Sequence, residues 1–197
     1  MHAFPLWPSA ELAPLRSGYE LLVKAVTGTL LHAREGALPP FARTLGLPQS
    51  ELLALLASCH PGRDAQAPIP ESKYASIVGT VPRLFSDVAA MLSKLRTPEA
   101  DPRHTDWLAR AIAAAALGTR FLWQDLGLAG RHELTALIRL YFQPLYQRNT
   151  TDLKWKRFLF LELGALQGNL HLKPPGCSGC GQFQVCYPPA MEASAQR

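Results

Sequence analysis

The chain has no apolar run long enough to cross a bilayer. Its longest, Ala111–Leu117 and Phe158–Leu161, fall far short of the roughly 20 residues that a spanning helix needs. The opening Met1-His2-Ala3-Phe4-Pro5-Leu6-Trp7-Pro8 lacks a basic segment followed by an apolar core, so it does not read as a secretory signal. A cytoplasmic protein with no membrane partner is the expectation. No β-alternation persists, and no internal repeat or low-complexity tract is found. No Ser/His/Asp set, paired carboxylates or Gly-rich phosphate loop is visible, so catalysis has no candidate site and an enzyme is not expected. Cysteine is scarce, at four residues, and acids (15) are fewer than bases (20).

What is present reads as globular. Hydrophobic content is 48% and charged content 18%, and 197 residues suffice for one domain with an appendage and a real core. Apolar residues at three- and four-residue spacing predict a helix over Tyr19–Arg34, after irregular residues punctuated by Pro5, Pro8 and Pro14. A second is predicted over Glu51–Ser58 with Ser50 as N-cap, stopped by Cys59-His60-Pro61-Gly62. Residues Arg63–Ser72 read as a polar connector and Pro98–Arg103 as another. Further helices are expected from Val81-Pro82 to Leu95, from Trp107 to Leu117 behind a Thr105-Asp106 cap, and from His132 to Phe142. A short turn should end at Gly127, and a last helix should run from Asp152 to Leu166, entered through Asn149. From Phe158 that helix is apolar almost all round, which predicts a central, buried position. The fold class is therefore all-α: a compact helical domain over residues 1–170, in two loosely defined halves meeting near 98–104, and a cysteine-rich tail over 171–197.

That tail holds three of the four cysteines, Cys177, Cys180 and Cys186, as C-x2-C-x5-C in a Gly/Pro-rich loop. Proline lacks the N–H and glycine loses backbone entropy, so such a run is a poor helix, and its thiolates can converge on one point. Soft thiolates select zinc or an iron–sulfur centre over hard cations. Spacing alone favours structural zinc, with His171 completing a Cys3His set. A redox dithiol fits less well, because the C-x-x-C pair does not open a helix. Upstream, between Arg139 and Lys173, six bases face two acids, a local positive field that concentrates anions or serves as a solvated helix face. On the zinc reading the chain would be a small binding module whose basic face meets nucleic acid or an acidic protein.

Several motifs carry a family resemblance. Phe121-Leu122-Trp123-Gln124-Asp125-Leu126-Gly127-Leu128, Arg131 with Glu133-Leu134, Phe142 with Pro144-Leu145, Arg148-Asn149 and Lys154-Trp155-Lys156-Arg157-Phe158 fall in one order before C-x2-C-x5-C. Together they resemble the NifQ family of nitrogen-fixation proteins, closely from about Trp107 to Cys186 and loosely before that. The resemblance implies a carrier of molybdenum within an iron–sulfur cluster, delivering it to nitrogenase cofactor assembly proteins, with nucleic acid not expected as a partner. Cys177, Cys180, Cys186 and His171 are the candidate metal ligands. Lys154, Lys156 and Arg157 are read here as the basic approach for molybdate, a dianion, or a molybdenum–sulfur species.

The sequence departs from the family pattern, C-x4-C-x2-C-x5-C, at its first cysteine, which falls on Leu172. Another cysteine common in relatives falls on Gly164. Leucine has no donor atom. His171 could substitute, Cys59 or His60 could fold back from the N-terminal half, the site could stay open, or it could have decayed. The bland readings make Cys59 a small buried hydrophobe, His132 a surface residue, His104 linker, and Trp123 and Trp155 packing anchors. Gln124-Asp125 reads as structural, and Asn149 as a residue shaping the entry to the last helix.

Overall fold

A computed structural model describes residues 9–62 and 68–188, with side chains from residue 17 onward. Among the described residues all regular structure is helical. In chain order the helices are α1 (Ser9–Arg34), α2 (Gln49–Cys59), α3 (Glu71–Val78), α4 (Arg83–Lys94), α5 (Pro102–Ala116), α6 (Leu122–Asp125), α7 (Arg131–Tyr141), α8 (Gln143–Arg148), α9 (Trp155–Gln167) and α10 (Phe183–Cys186). Short 3-10 turns occupy Pro40–Arg43 and Cys177–Gly179. Among the described residues no single helix is long and apolar enough to cross a membrane; α3 and α4 pass that test only as a pair bent by 80°.

The centre of the body is α5. Every residue from Ala111 to Ala116 is fully buried, because methyl side chains let α1, α4 and α6 approach closely. Around it α4 buries Phe85, Val88, Met91 and Leu92, and α7 buries Leu134, Leu137, Ile138 and Tyr141. The link between α4 and α5 is braced: Thr97 donates its N–H to Tyr141 O at 2.8 Å and its hydroxyl oxygen accepts from Gln143 N at 2.9 Å.

Several expectations are corrected. Helix α1 begins at Ser9 and passes through Pro14, which removes one backbone donor without ending the helix. Helix α3 begins inside the expected connector, at Glu71, and α8 follows directly on the helix expected to end at Phe142; Pro70 and Pro144 mark their starts. Caps also differ. Pro48, not Ser50, precedes α2, and Asp101 caps α5 by accepting from His104 N at 2.8 Å, which places Thr105 and Asp106 inside the helix. His104 is therefore no linker residue; its ring packs 4.9 Å from Tyr19 and 5.5 Å from Trp107. The last helix starts at Trp155, because Asp152 adopts φ 51° and turns the chain. Nor is it central: Phe158, Leu159, Phe160 and Leu163 are buried, whereas Leu161 and Leu166 are exposed.

Truncating the fully buried Leu108 in α5 to alanine is expected to lower unfolding free energy by about 2–5 kcal/mol, read from urea denaturation.

Candidate functional site

Five pieces of chain converge on one cleft of about 310 Å³: the turn after α5, α6, the start of α7, the entry to α9 and the tail. Cys177, Cys180 and Cys186 all line it, and so do Lys154, Lys156 and Arg157. Arg120 and Arg131 add two more cations, and among the described residues no carboxylate lines it. Bases and thiols distant in sequence thus share one wall-to-wall space.

The tail reaches this place by a reversal after α9. Gly168 takes the left-handed conformation (φ 69°) and Asn169 N donates to Gly164 O at 2.8 Å. A Cβ on Gly164 would meet Asn169 O at 2.4 Å, so the return path needs glycine there. The same Cβ would lie 3.3 Å from Leu172 Cβ. The two positions where this sequence departs from the family pattern are thus neighbours on the far side of the turn, and neither lines the cleft.

From Lys173 onward cations fasten the tail to the body. Lys154 Nζ donates to Gln182 Oε1 at 2.7 Å, and Arg157 stacks over Tyr187 at 5.3 Å. Lys173 lies 5.3 and 5.0 Å from the Phe183 and Tyr187 rings. Gly176 rests directly on the backbone of the turn after α5; a Cβ there would be 2.8 Å from Thr119 Cα. Within the tail Gln182 N donates to Cys180 Sγ at 3.5 Å.

Electrostatics couple the walls. Burial pushes the Cys177 thiol up, the nearby Lys156 ammonium acts against it, and Cys180 and Cys186 reinforce it. Burial lowers the Lys156 pKa, while Asp125 and the two thiols Cys177 and Cys180 hold it up. Tyr187 is raised to about 12 by burial and by Cys177 and Cys186, with Arg157 opposing.

The other expected residues fall elsewhere. His171 is exposed and does not line the cleft. Cys59 is 7% exposed in the core at the end of α2, its thiol raised to about 11 by burial, and His60 Nε2 lies 3.3 Å from Thr27 Oγ1. Neither lines the cleft. His132 is exposed. Trp155 is buried and donates Nε1–H to Thr135 Oγ1 at 2.9 Å, whereas Trp123 is half-buried and faces the cleft. Asn149 exchanges two hydrogen bonds with Leu153, both 2.9 Å, and so shapes the entry to α9 without capping it. Among the described residues no three His, Cys, Asp or Glu side chains stand close enough to hold one metal ion. The three thiols share a cleft without converging on a point.

A helical body carrying a thiol-and-cation cleft under a glycine-rich tail defines the class. The family model described as NifQ matches residues 25–188, and the chain belongs to the NifQ family. It is 28% identical over 155 residues to Protein NifQ of Rhodobacter capsulatus, covering 77% of this chain and 80% of that one. With Protein NifQ of Klebsiella pneumoniae it shares 28% over 162 residues, 80% and 92% of the two chains. With that of Azotobacter vinelandii identity is 36% over 81 residues, 41% and 42% of the chains. No solved structure matches the chain.

Exposure separates the cysteines in a way thiol counting can read. Iodoacetamide at pH 8 should label Cys177, Cys180 and Cys186 in the native protein and reach Cys59 only after denaturation. Labelling of Cys59 in the folded chain would place it outside the core.

Proposed function

We propose that the cleft binds a molybdenum-containing iron–sulfur unit as cargo and yields it to proteins that assemble the nitrogenase cofactor, in a nitrogen-fixing cell. The chain acts as a carrier and not as an enzyme. One observation carries this reading: Cys177, Cys180 and Cys186 border the same cleft as Lys154, Lys156 and Arg157. Thiolates bind soft metals and cluster iron, and cluster sulfides bind molybdenum. The cations offset the negative charge that thiolates and sulfides bring. Membership of the NifQ family supports the same assignment.

The spread of the thiols supports a cargo larger than one ion. Tetrahedral zinc with Zn–S near 2.3 Å needs sulfurs about 3.8 Å apart around a common centre. The described donors make no such group, and a Cys3His zinc set would need His171, which lies outside the cleft. A multi-metal unit takes its thiolates at separate corners and so suits thiols distributed round a wall. Three protein thiolates leave part of that unit without a protein ligand, which favours release to a recipient. The cations differ in how they can serve. Lys154 reaches the cleft mouth from the start of α9 and lies 5.7 Å from the Phe121 ring, whereas Lys156 sits deeper, its side chain 12% exposed.

Anaerobic purification followed by iron, molybdenum and zinc analysis tests the reading. Iron and molybdenum with a brown chromophore are expected; stoichiometric zinc alone would overturn it. Cys180→Ser should abolish metal loading while far-UV circular dichroism stays unchanged, because no residue of the tail turns at Cys177–Gly179 and Phe183–Cys186 is buried in the core. Collapse of helicity on that change would point instead to a structural site.

Leu172→Cys makes a sharper discrimination. Leu172 packs against the core beside Gly164 and outside the cleft, so the new thiol should leave iron and molybdenum content unaltered. A gain in metal per chain would show that residue 172 turns into the cleft on loading.

A further inference from the structure

Beneath the cleft lies a carboxylate that the cargo cannot reach. Asp125, at the end of α6, is fully buried and does not line the cleft. Its Oδ1 accepts from Arg120 Nε at 2.8 Å and its Oδ2 lies 3.5 Å from Lys156 Nζ. A buried charge persists only when paired and hydrogen-bonded, and here one carboxylate serves two cations of the cleft wall.

Lys156 is held on three sides. Its ammonium donates to Gly118 O at 3.1 Å and to Arg120 O, and it faces Asp125. With three N–H groups and three acceptors, it has no proton left for a direct hydrogen bond to a ligand. Its charge is fixed in place by the protein, pressed against the turn that joins α5 to α6.

That turn is also the floor on which the tail rests. A Cβ on Gly118 would stand 2.4 Å from Asp125 Oδ2, so the turn packs on the carboxylate from one side. A Cβ on Gly176 would stand 2.9 Å from Gly118 O and 2.8 Å from Thr119 Cα, so the tail packs on the same turn from the other. Two glycines therefore flank one stretch of backbone whose carbonyl Lys156 grips. Cys177 follows Gly176 directly, and its position in the cleft is inherited from this contact.

We infer that Asp125 is a positioning residue for the cleft: it anchors Lys156, Lys156 pins the Gly118 carbonyl, and the pinned turn seats Gly176 so that the thiols face the cavity. The inference rests on the reading of the cleft as the cargo site, but the contact it describes exists without cargo. Asp125 touches no ligand and acts only through its neighbours.

Hydrogen exchange on the full, metal-free chain tests it. Asp125→Asn and Lys156→Met should each speed exchange of the hydrogen-bonded amides within residues 177–187 by about tenfold or more. Gly176→Ala, which alters no charge, should do the same from the tail side. In Lys156→Met and Gly176→Ala the Asp125–Arg120 pair survives, so α4 and α5 should exchange as in the unaltered chain. Unchanged tail exchange in Lys156→Met overturns the proposal, whatever Asp125→Asn does to the body. Iron and molybdenum content after anaerobic purification gives a second reading. It should be lower in all three variants than in the unaltered chain, with circular dichroism unchanged in Lys156→Met and Gly176→Ala. Content in Lys156→Met equal to that of the unaltered chain overturns the proposal. Absence of both metals from the unaltered chain, with the exchange differences intact, supports the positioning role and sinks the cargo reading.

Discussion

One buried carboxylate shared by two cations sets the geometry on which the cleft depends. Asp125 lies fully out of water, with Arg120 and Lys156 on its two oxygens. Removing charge from water is expensive, so such a group is retained only where its partners are held in turn. Here the partner's partners are backbone carbonyls, Gly118 O and Arg120 O. The arrangement converts a sharp turn between α5 and α6, which side-chain packing alone would leave soft, into a rigid ledge. The hydrophobic body positions that ledge through α5, whose alanines lie entirely in the core.

Much of the body was legible as periodicity. The inward set of α7 follows from apolar spacing, as do Val88, Met91 and Leu92 of α4, where spacing points to Leu84 but Phe85 is the buried residue, and Gly127 ends its short helix with φ 67°. The errors share a cause. Helix starts here are marked mainly by proline: Pro48, Pro70 and Pro82 precede helices, and Pro102 and Pro144 sit in first turns, where a missing N–H is harmless. Reading Arg63–Ser72 as a connector hid the start of α3, no element was expected over α8, and seeking Ser or Thr caps misplaced the starts of α2 and α5. The apolar run after Phe158 suggested centrality, but Leu161 and Leu166 face outward, and apolar composition alone does not say which neighbours are present.

The candidate site was legible in its parts and not in its assembly. Cys177, Cys180, Cys186, Lys154, Lys156 and Arg157 could be picked out by residue type and spacing, and all six line one cleft. Asp125 reads only as structural and Gly118 does not stand out at all, since their roles arise from contacts between α6, the α5–α6 turn and a tail about fifty residues later. The near-coincidence of Leu172 with Gly164 is of the same kind. Viewed along the chain, a missing cysteine at 172 looks like a gap in the ligand set; in space it neighbours the other departure and lies outside the cleft. His171, attractive because it adjoins that gap, loses the argument once the gap is elsewhere.

How the tail is fastened bears on what a carrier needs. Neither short turn in the tail buries a residue, although Pro174 ahead of them is buried. Docking draws also on Lys154 with Gln182, on Arg157 and Lys173 against Phe183 and Tyr187, and on the glycine contact at Gly118. Interactions of half-buried surface cations with amides and aromatic faces are each worth about a kilocalorie per mole. A wall attached in this way can detach without unfolding the helices beneath it. Lys154 and Arg157 also line the cleft with the thiols, so charge arriving on the sulfurs would compete with Gln182 and Tyr187 for them. Loading and fastening therefore draw on one set of side chains, and Lys156 alone, tied to Asp125 and two carbonyls, stays outside that competition as the fixed point about which the tail can move.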